Sequence, residues 1–353
     1  MPPQEPSTAS APPPSTPAGA GAPPGGAAAS QPAKPAARKG TAARAMSVAP
    51  LALAVLAQVG VIGHGGGTGA TVASTSTQAA KCGTGIADYQ ACHDRYPTGC
   101  SAAGGYDGYL NSLKNELVDP AGDPQHVFHV PDLVELEKQV PAELTKINHE
   151  TLKDQMGALG EGEVASLNGY LYYAKKGGAE SSNCLLDGAD DIDFHIGIGS
   201  DAGTGARAQA KSPGLSSAER SQAVIVEMTP HWRAKYEPGW NLAEVQKAVG
   251  RQVYVVGQLL ADNEHDDAKD DCAYNGTGGP GPHCWRPTIW ELHPVTRFLV
   301  CAAPSCQESG VGPGWTPLES FDPTKASPVA APSPVAAPNA PGAASPGAPA
   351  GHR

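Results

Sequence analysis

From residue 164 onward, apolar and polar positions alternate. Residues 164 to 175 read Val-Ala-Ser-Leu-Asn-Gly-Tyr-Leu-Tyr-Tyr-Ala-Lys, a long first strand in which Gly169 permits a sharp bend. Residues 191 to 198 place Ile192, Phe194, Ile196 and Ile198 on one face and Asp191, Asp193 and His195 on the other. That period of two marks a strand apolar on one side only. Residues 224 to 229 set Val224, Val226 and Met228 against Ile225, Glu227 and Thr229. A short helix opened by Asn241, with Glu244 at the capping-box position, ends at Gly250. Two more strands follow, at 251 to 260 and 288 to 301, the last with Trp290, Leu292, Pro294, Phe298 and Val300 opposite Glu291, His293 and Arg297.

Before residue 160 the period is helical. Tyr106, Tyr109, Leu110, Leu113 and Leu117 form one stripe, stopped by Asp119-Pro120. Asp132 followed by Glu135 predicts a capped helix start, with Leu133, Leu136, Val140 and Leu144 apolar and a break at Pro141. Residues 82 to 100 are cysteine-dense and suit a stapled loop. The chain therefore divides into a low-complexity tail (1–45), a hydrophobic segment (46–63), a linker (64–81), a helical cysteine-containing region (82–160), a β-barrel domain (161–306) and a Pro/Ala-rich tail (307–353). Runs of Ala, Pro, Gly and Ser cannot bury enough surface to offset the entropy of ordering, so both tails are expected to be disordered.

Composition narrows this further. Gly 43 and Pro 35 leave fewer core-forming residues than 353 suggests, which favours one ordinary domain. The net charge of -11 hides an asymmetry: Lys34, Arg38, Lys39, Arg44, Lys81, Lys325 and Arg353 against Glu5 make the flanks basic, leaving about -17 in the body. Such a body disfavours nucleic acid and suits a cation or a basic protein partner. All eight cysteines lie in it, an even count that favours disulfides in an exported chain. Cys272 is expected to pair with Cys284 across a Gly-rich loop, and a cysteine of the Cys82, Cys92, Cys100 group to reach the barrel. No Cys-x-x-Cys pair supports a zinc ribbon or a thioredoxin-type site. The apolar run from 47 to 62 reads as a signal peptide, a single transmembrane anchor or a buried helix. The expected location is secreted or cell-envelope, periplasmic or extracellular, with an anchored form among the readings.

Three strands, a helix and two strands, with a bendable first strand, is the plan of the OB-fold, a five-stranded Greek-key barrel. The segment resembles a family of exported bacterial OB-fold proteins of unknown function. The resemblance rests on Gly-Tyr-Leu-Tyr-Tyr-Ala-Lys (169–175), Glu-Ser-Ser-Asn-Cys (180–184), Asp-Phe-His-Ile (193–196), Val-Glu-Met-Thr-Pro (226–230), Gly-Gln-Leu-Leu-Ala-Asp-Asn-Glu-His (257–265) and Trp-Glu-Leu-His-Pro-Val-Thr (290–296). It covers about 145 of the 353 residues. It implies a fold and no activity. The expected fold class is thus mainly β: an OB-like barrel after a small helical, cysteine-containing region, between disordered tails.

With apolar faces inside such a barrel, the outer faces carry Asp193 with His195, Glu227, and Glu291 with His293, since residues i and i+2 share a side. His265 ends the fourth strand. Two readings stay open. These are solvated faces whose Glu and His side chains set register, or His195, Glu227, His265 and His293 hold a divalent metal such as zinc and activate water for hydrolysis. Asp262, Glu264, Asp266, Asp267, Asp270 and Asp271 form an acidic loop without EF-hand spacing, expected to be solvated. Trp232, Trp285 and Glu291 are candidate binding contacts, the aromatic rings being able to stack on bases or sugars, whereas Trp290 suits the core. No Gly-x-Ser-x-Gly elbow is present, and no catalytic residue is assigned. The expectation is an exported or membrane-anchored OB-like binding module of unknown ligand, with no cofactor beyond a divalent metal. A metal-dependent hydrolase and a single-stranded nucleic-acid binder are the alternatives.

Overall fold

Gly169 is where the first long strand changes partners. In the computed structural model, which describes residues 80–103, 105–211 and 214–328, the chain is mainly β around a closed five-stranded barrel. The short β1 (His126–His129) runs parallel to the start of β2 (Val164–Lys176). Up to Tyr170, β2 pairs with β5 (Gln252–Ala261), and from Tyr170 onward with β3 (Phe194–Gly199). A Cβ at Gly169 would sit 2.7 Å from the Gly199 carbonyl oxygen, so only glycine lets the two sheet halves approach. β4 (Val224–Met228) and β6 (Trp290–Cys301) complete a ring in the order β2, β3, β4, β6, β5 and back to β2. Its contacts are antiparallel except the parallel one between β4 and β6.

Phe194, Met228 and Leu292 point inward and are buried, as the alternation requires. The second strand starts at Phe194, three residues later than expected, because Asp191 instead accepts a hydrogen bond from the Tyr89 N–H at 2.9 Å. Ahead of the barrel lie α1 (Tyr89–Arg95), α2 (Gly108–Lys114), α3 (Val130–Glu137) and α4 (His149–Ala158). At α3 the sequence reading needs correction: His129 is the N-cap, and Asp132, at the third helical position, accepts from its backbone N–H at 2.7 Å. After β3 come α5 (Ala202–Ala210) and α6 (Ser217–Arg220), and after β4 come α7 (Pro230–Tyr236) and α8 (Leu242–Lys247). The Asn241 side chain caps α8, as its spacing predicts. On α7, Trp232 packs against Tyr236 and Trp240 and is fully buried.

Four disulfides join all eight cysteines. Cys272 pairs with Cys284, and Cys92 of α1 reaches Cys184, in the turn between β2 and β3. Cys82–Cys100 and Cys301–Cys306 complete the set, which belongs to an oxidising, non-cytoplasmic compartment. Among the described residues no helix is long and apolar enough to cross a membrane. The hydrophobic segment at 46–63, the first tail, nearly all of the linker and residues 329–353 lie outside the described residues.

The boundary at 306 moves. Residues 315–317 form β7 (Trp315–Pro317) against β6, and Leu318 and Phe321 are buried behind it. Buried Arg251 holds the segment by donating to the carbonyls of Cys301, Ala303 and Ser327. Part of the region read as a tail is therefore a covering layer of the barrel.

Candidate functional site

Register creates the site. His195 on β3 lies directly across from Glu227 on β4, and Val226 lies beside Leu292 on β6. The residues flanking that apolar row therefore line up on the outer wall, bringing Asp193, His195, Glu227, Glu291 and His293 together. The sequence reading of these as solvated faces is overturned: His195 is 8% exposed, Asp193 and Glu227 2%, Glu291 and His293 0%. Their cover is α2, the turn at 180–184 and the loop after β5, which also bury Asp262 and Asp271 of the acidic loop.

Two cations are buried with them. Lys114, at the end of α2, reaches Glu180 Oε2 at 3.2 Å and Asp262 Oδ2 at 3.1 Å. Arg286 donates to Glu291 Oε2 at 2.8 Å and to the carbonyls of Thr288 and Ile289. Burial works against the charged form of every carboxylate here, but the outcomes diverge. At Asp262, Lys114 and then His265 and Arg286 prevail and hold the carboxyl well below its usual range. Lys114 and His195 do the same for Glu180. At Glu227 the balance tips the other way: burial, reinforced by Glu291 and Glu180, outweighs Lys114 and pushes its carboxyl well above the ordinary value. Asp193 is raised by burial as well, against the pull of His293.

His195 faces two carboxylates and His293 three. His195 Nε2 lies 3.2 Å from both Glu180 Oε1 and Glu227 Oε1. His293 Nδ1 hydrogen-bonds Glu291 Oε1 at 3.0 Å and lies 3.5 Å from Glu227 Oε2, while its Nε2 is 3.8 Å from Asp193 Oδ1. Two sets, Glu180–His195–Glu227 and Asp193–Glu227–His293, each offer three ligand atoms within 4.8 Å of one another.

The face opens to solvent through a depression of about 430 Å³ lined by Tyr106, Glu180, His195, Glu264, His265 and Trp285 among others. Trp285 donates its indole N–H to Asp270 at 2.8 Å and packs edge-on to His265. His265, expected to join the metal set, instead bonds Asp270 at 3.0 Å and stands 3.8 Å from Asp262. It lines the depression and belongs to neither ligand set. Of the expected binding contacts, Trp285 lines the depression, Glu291 is sealed beneath it, and Trp232 is fully buried with the α7 aromatics.

Lys114, Glu180, Asp262 and Arg286 carry parts the sequence reading did not give them. Lys114 had one signal, since it follows Leu110 by four residues and so shares its inward side. Comparison with protein-family models, with curated proteins and with solved structures finds no match to the chain.

Proposed function

We propose that the chain is an extracytoplasmic, OB-like binding module that captures a cationic ligand at the depression beside Trp285. The charge of the floor carries this reading. Six carboxylates converge there or line its mouth (Glu180, Asp193, Glu227, Asp262, Glu264 and Glu291), against Lys114 and Arg286 in the floor and Lys175 at the mouth, over the Trp285 ring. Fully ionised, these groups would leave three formal negative charges over, and burial counters this by favouring the protonated forms of Glu227 and Asp193. Unmatched charge in a dry interior is expensive, and a ligand that supplies positive charge recovers that cost.

The OB-like assignment draws on strand order: counted from β2 to β6 as one to five, the ring runs one, two, three, five, four, with α8 between the third and fourth. The resemblance to exported bacterial OB-fold proteins extends that assignment and adds no activity. The test is calorimetric titration of the oxidised chain at pH 7 with zinc, calcium, spermidine and arginine amide, with phosphate and acetate as anionic controls. At least one cation binds, and Glu180→Gln weakens it about tenfold or more, equivalent to 1.4 kcal/mol. Binding of anions alone would overturn the reading.

Metal-assisted hydrolysis is the second reading, favoured by His195 lining the depression, where an activated water would meet a substrate. Chelator-sensitive turnover of p-nitrophenyl phosphate or acetate tests it. Binding of single-stranded nucleic acid loses a stacking candidate, since Trp232 is buried. A salt-dependent titration with an oligonucleotide is expected to stay flat.

A further inference from the structure

Two atoms behind the depression have no use in a simple cation pocket. Glu227 Oε2 and His293 Nε2 are buried and lack any hydrogen-bond partner among the described residues. At His293 the orientation is set from outside. Arg286 holds Glu291 through Oε2, Glu291 Oε1 hydrogen-bonds His293 Nδ1 at 3.0 Å, and Nε2 faces Asp193 Oδ1 at 3.8 Å. Asp193, Glu227 and His293 thus each bring one ligand atom within 4.8 Å of the others, in an interior closed to water. The other oxygen of Glu227 lies 3.2 Å from His195 Nε2, which is equally close to Glu180 Oε1.

We propose that this wall holds two divalent transition-metal ions, an outer one on Glu180, His195 and Glu227 and an inner one on Asp193, Glu227 and His293, with Glu227 as the shared ligand. The proposal rests on the cation-binding reading and narrows it to a metal pair. One imidazole and two carboxylates per ion is a nitrogen and oxygen donor set suited to zinc or manganese. The surrounding groups orient the ligands as metal proteins require. Lys114 takes Glu180 Oε2 and leaves Oε1 facing His195, while the chain from Arg286 through Glu291 fixes the His293 ring. Access is unequal: the Glu180 side chain is 18% and the His195 side chain 10% exposed, while the His293 side chain is fully enclosed. Metal therefore leaves the outer position first.

The experiment uses the full oxidised chain, stripped with chelator, reloaded with zinc chloride and counted by elemental mass spectrometry. Cobalt absorption reports the ligand field. Two zinc ions per chain are expected in the parent, one in Glu180→Gln, and none in Glu227→Gln, because that residue serves both positions. Near-UV circular dichroism confirms that the variants are folded, and Glu180→Gln, at the rim, carries the test if Glu227→Gln is not. Fewer than two zinc ions in a folded parent would overturn the metal pair, as would equal losses in the two variants. Spermidine binding without zinc binding would remove the metal pair and keep the cation pocket; binding of neither would remove both.

Discussion

Glu137 shows how one buried carboxyl converts burial into pH sensitivity. Its Oε2 accepts from the Thr288 hydroxyl at 2.7 Å and the Ile289 N–H at 3.0 Å, yet burial, with Asp271 nearby, lifts its pKa to about 7. A carboxyl raised in the folded state binds a proton that the unfolded chain releases, so its contribution is complete below the unfolded value near 4.5 and is lost as pH rises through about 7. At 1.36 kcal/mol per unit the effect reaches about 3 kcal/mol. Glu137→Gln keeps an acceptor for both donors and cannot ionise. Its urea midpoint should fall less than the parent's between pH 5 and pH 8, and identical slopes would refute the assignment. The neighbouring wall shows what a sequence conveys about such groups. Alternation places Asp193, His195, Glu227, Glu291 and His293 on one side, but nothing local reveals that Lys114, far away in the chain, closes over them, or that Arg286, five residues before Glu291, folds back onto it.

Among the elements, β2 depends most on a single position. Gly169→Ala would press a methyl group onto the Gly199 carbonyl and Ile198 Cγ2, both 2.7 Å away. We expect a loss of about 1–3 kcal/mol by overpacking. Gly157, exposed in α4 with open space around its Cβ position, provides the contrast. There alanine should gain up to about 1 kcal/mol from helix propensity. Denaturant midpoints of the two variants test both signs, and a neutral Gly169→Ala would show that the two halves of β2 have room to relax. The long strands and α8 were legible because each repeats its period or carries a cap. By contrast, α6 has four residues and α7 seven, too few for a period to register, and their own caps, Ser216 with Glu219 and Thr229 before Pro230, went unread. β7 hides among Gly310, Gly312, Pro313 and Gly314, whose composition mimics a tail while its few apolar residues find the barrel.

At the scale of the whole molecule, the helices before the barrel share its apolar core and are also tied to it covalently. Cys92–Cys184 spans 92 residues, and in the chain-entropy view a loop of that length contributes about 4.6 kcal/mol by restricting the unfolded state. Replacing both cysteines by alanine should lower the unfolding free energy by roughly that amount, read from guanidinium titration. Cys301–Cys306, separated by 5 residues, should matter far less on that scale, so equal losses for the two pairs would contradict the entropic account.

That long cross-link also bears on reduction. The turn it secures begins beside Glu180, so the bond ties α1 to the segment that supplies an outer ligand, whereas Glu227 and His293 sit on barrel strands. We expect reductant to loosen the outer position before the inner one.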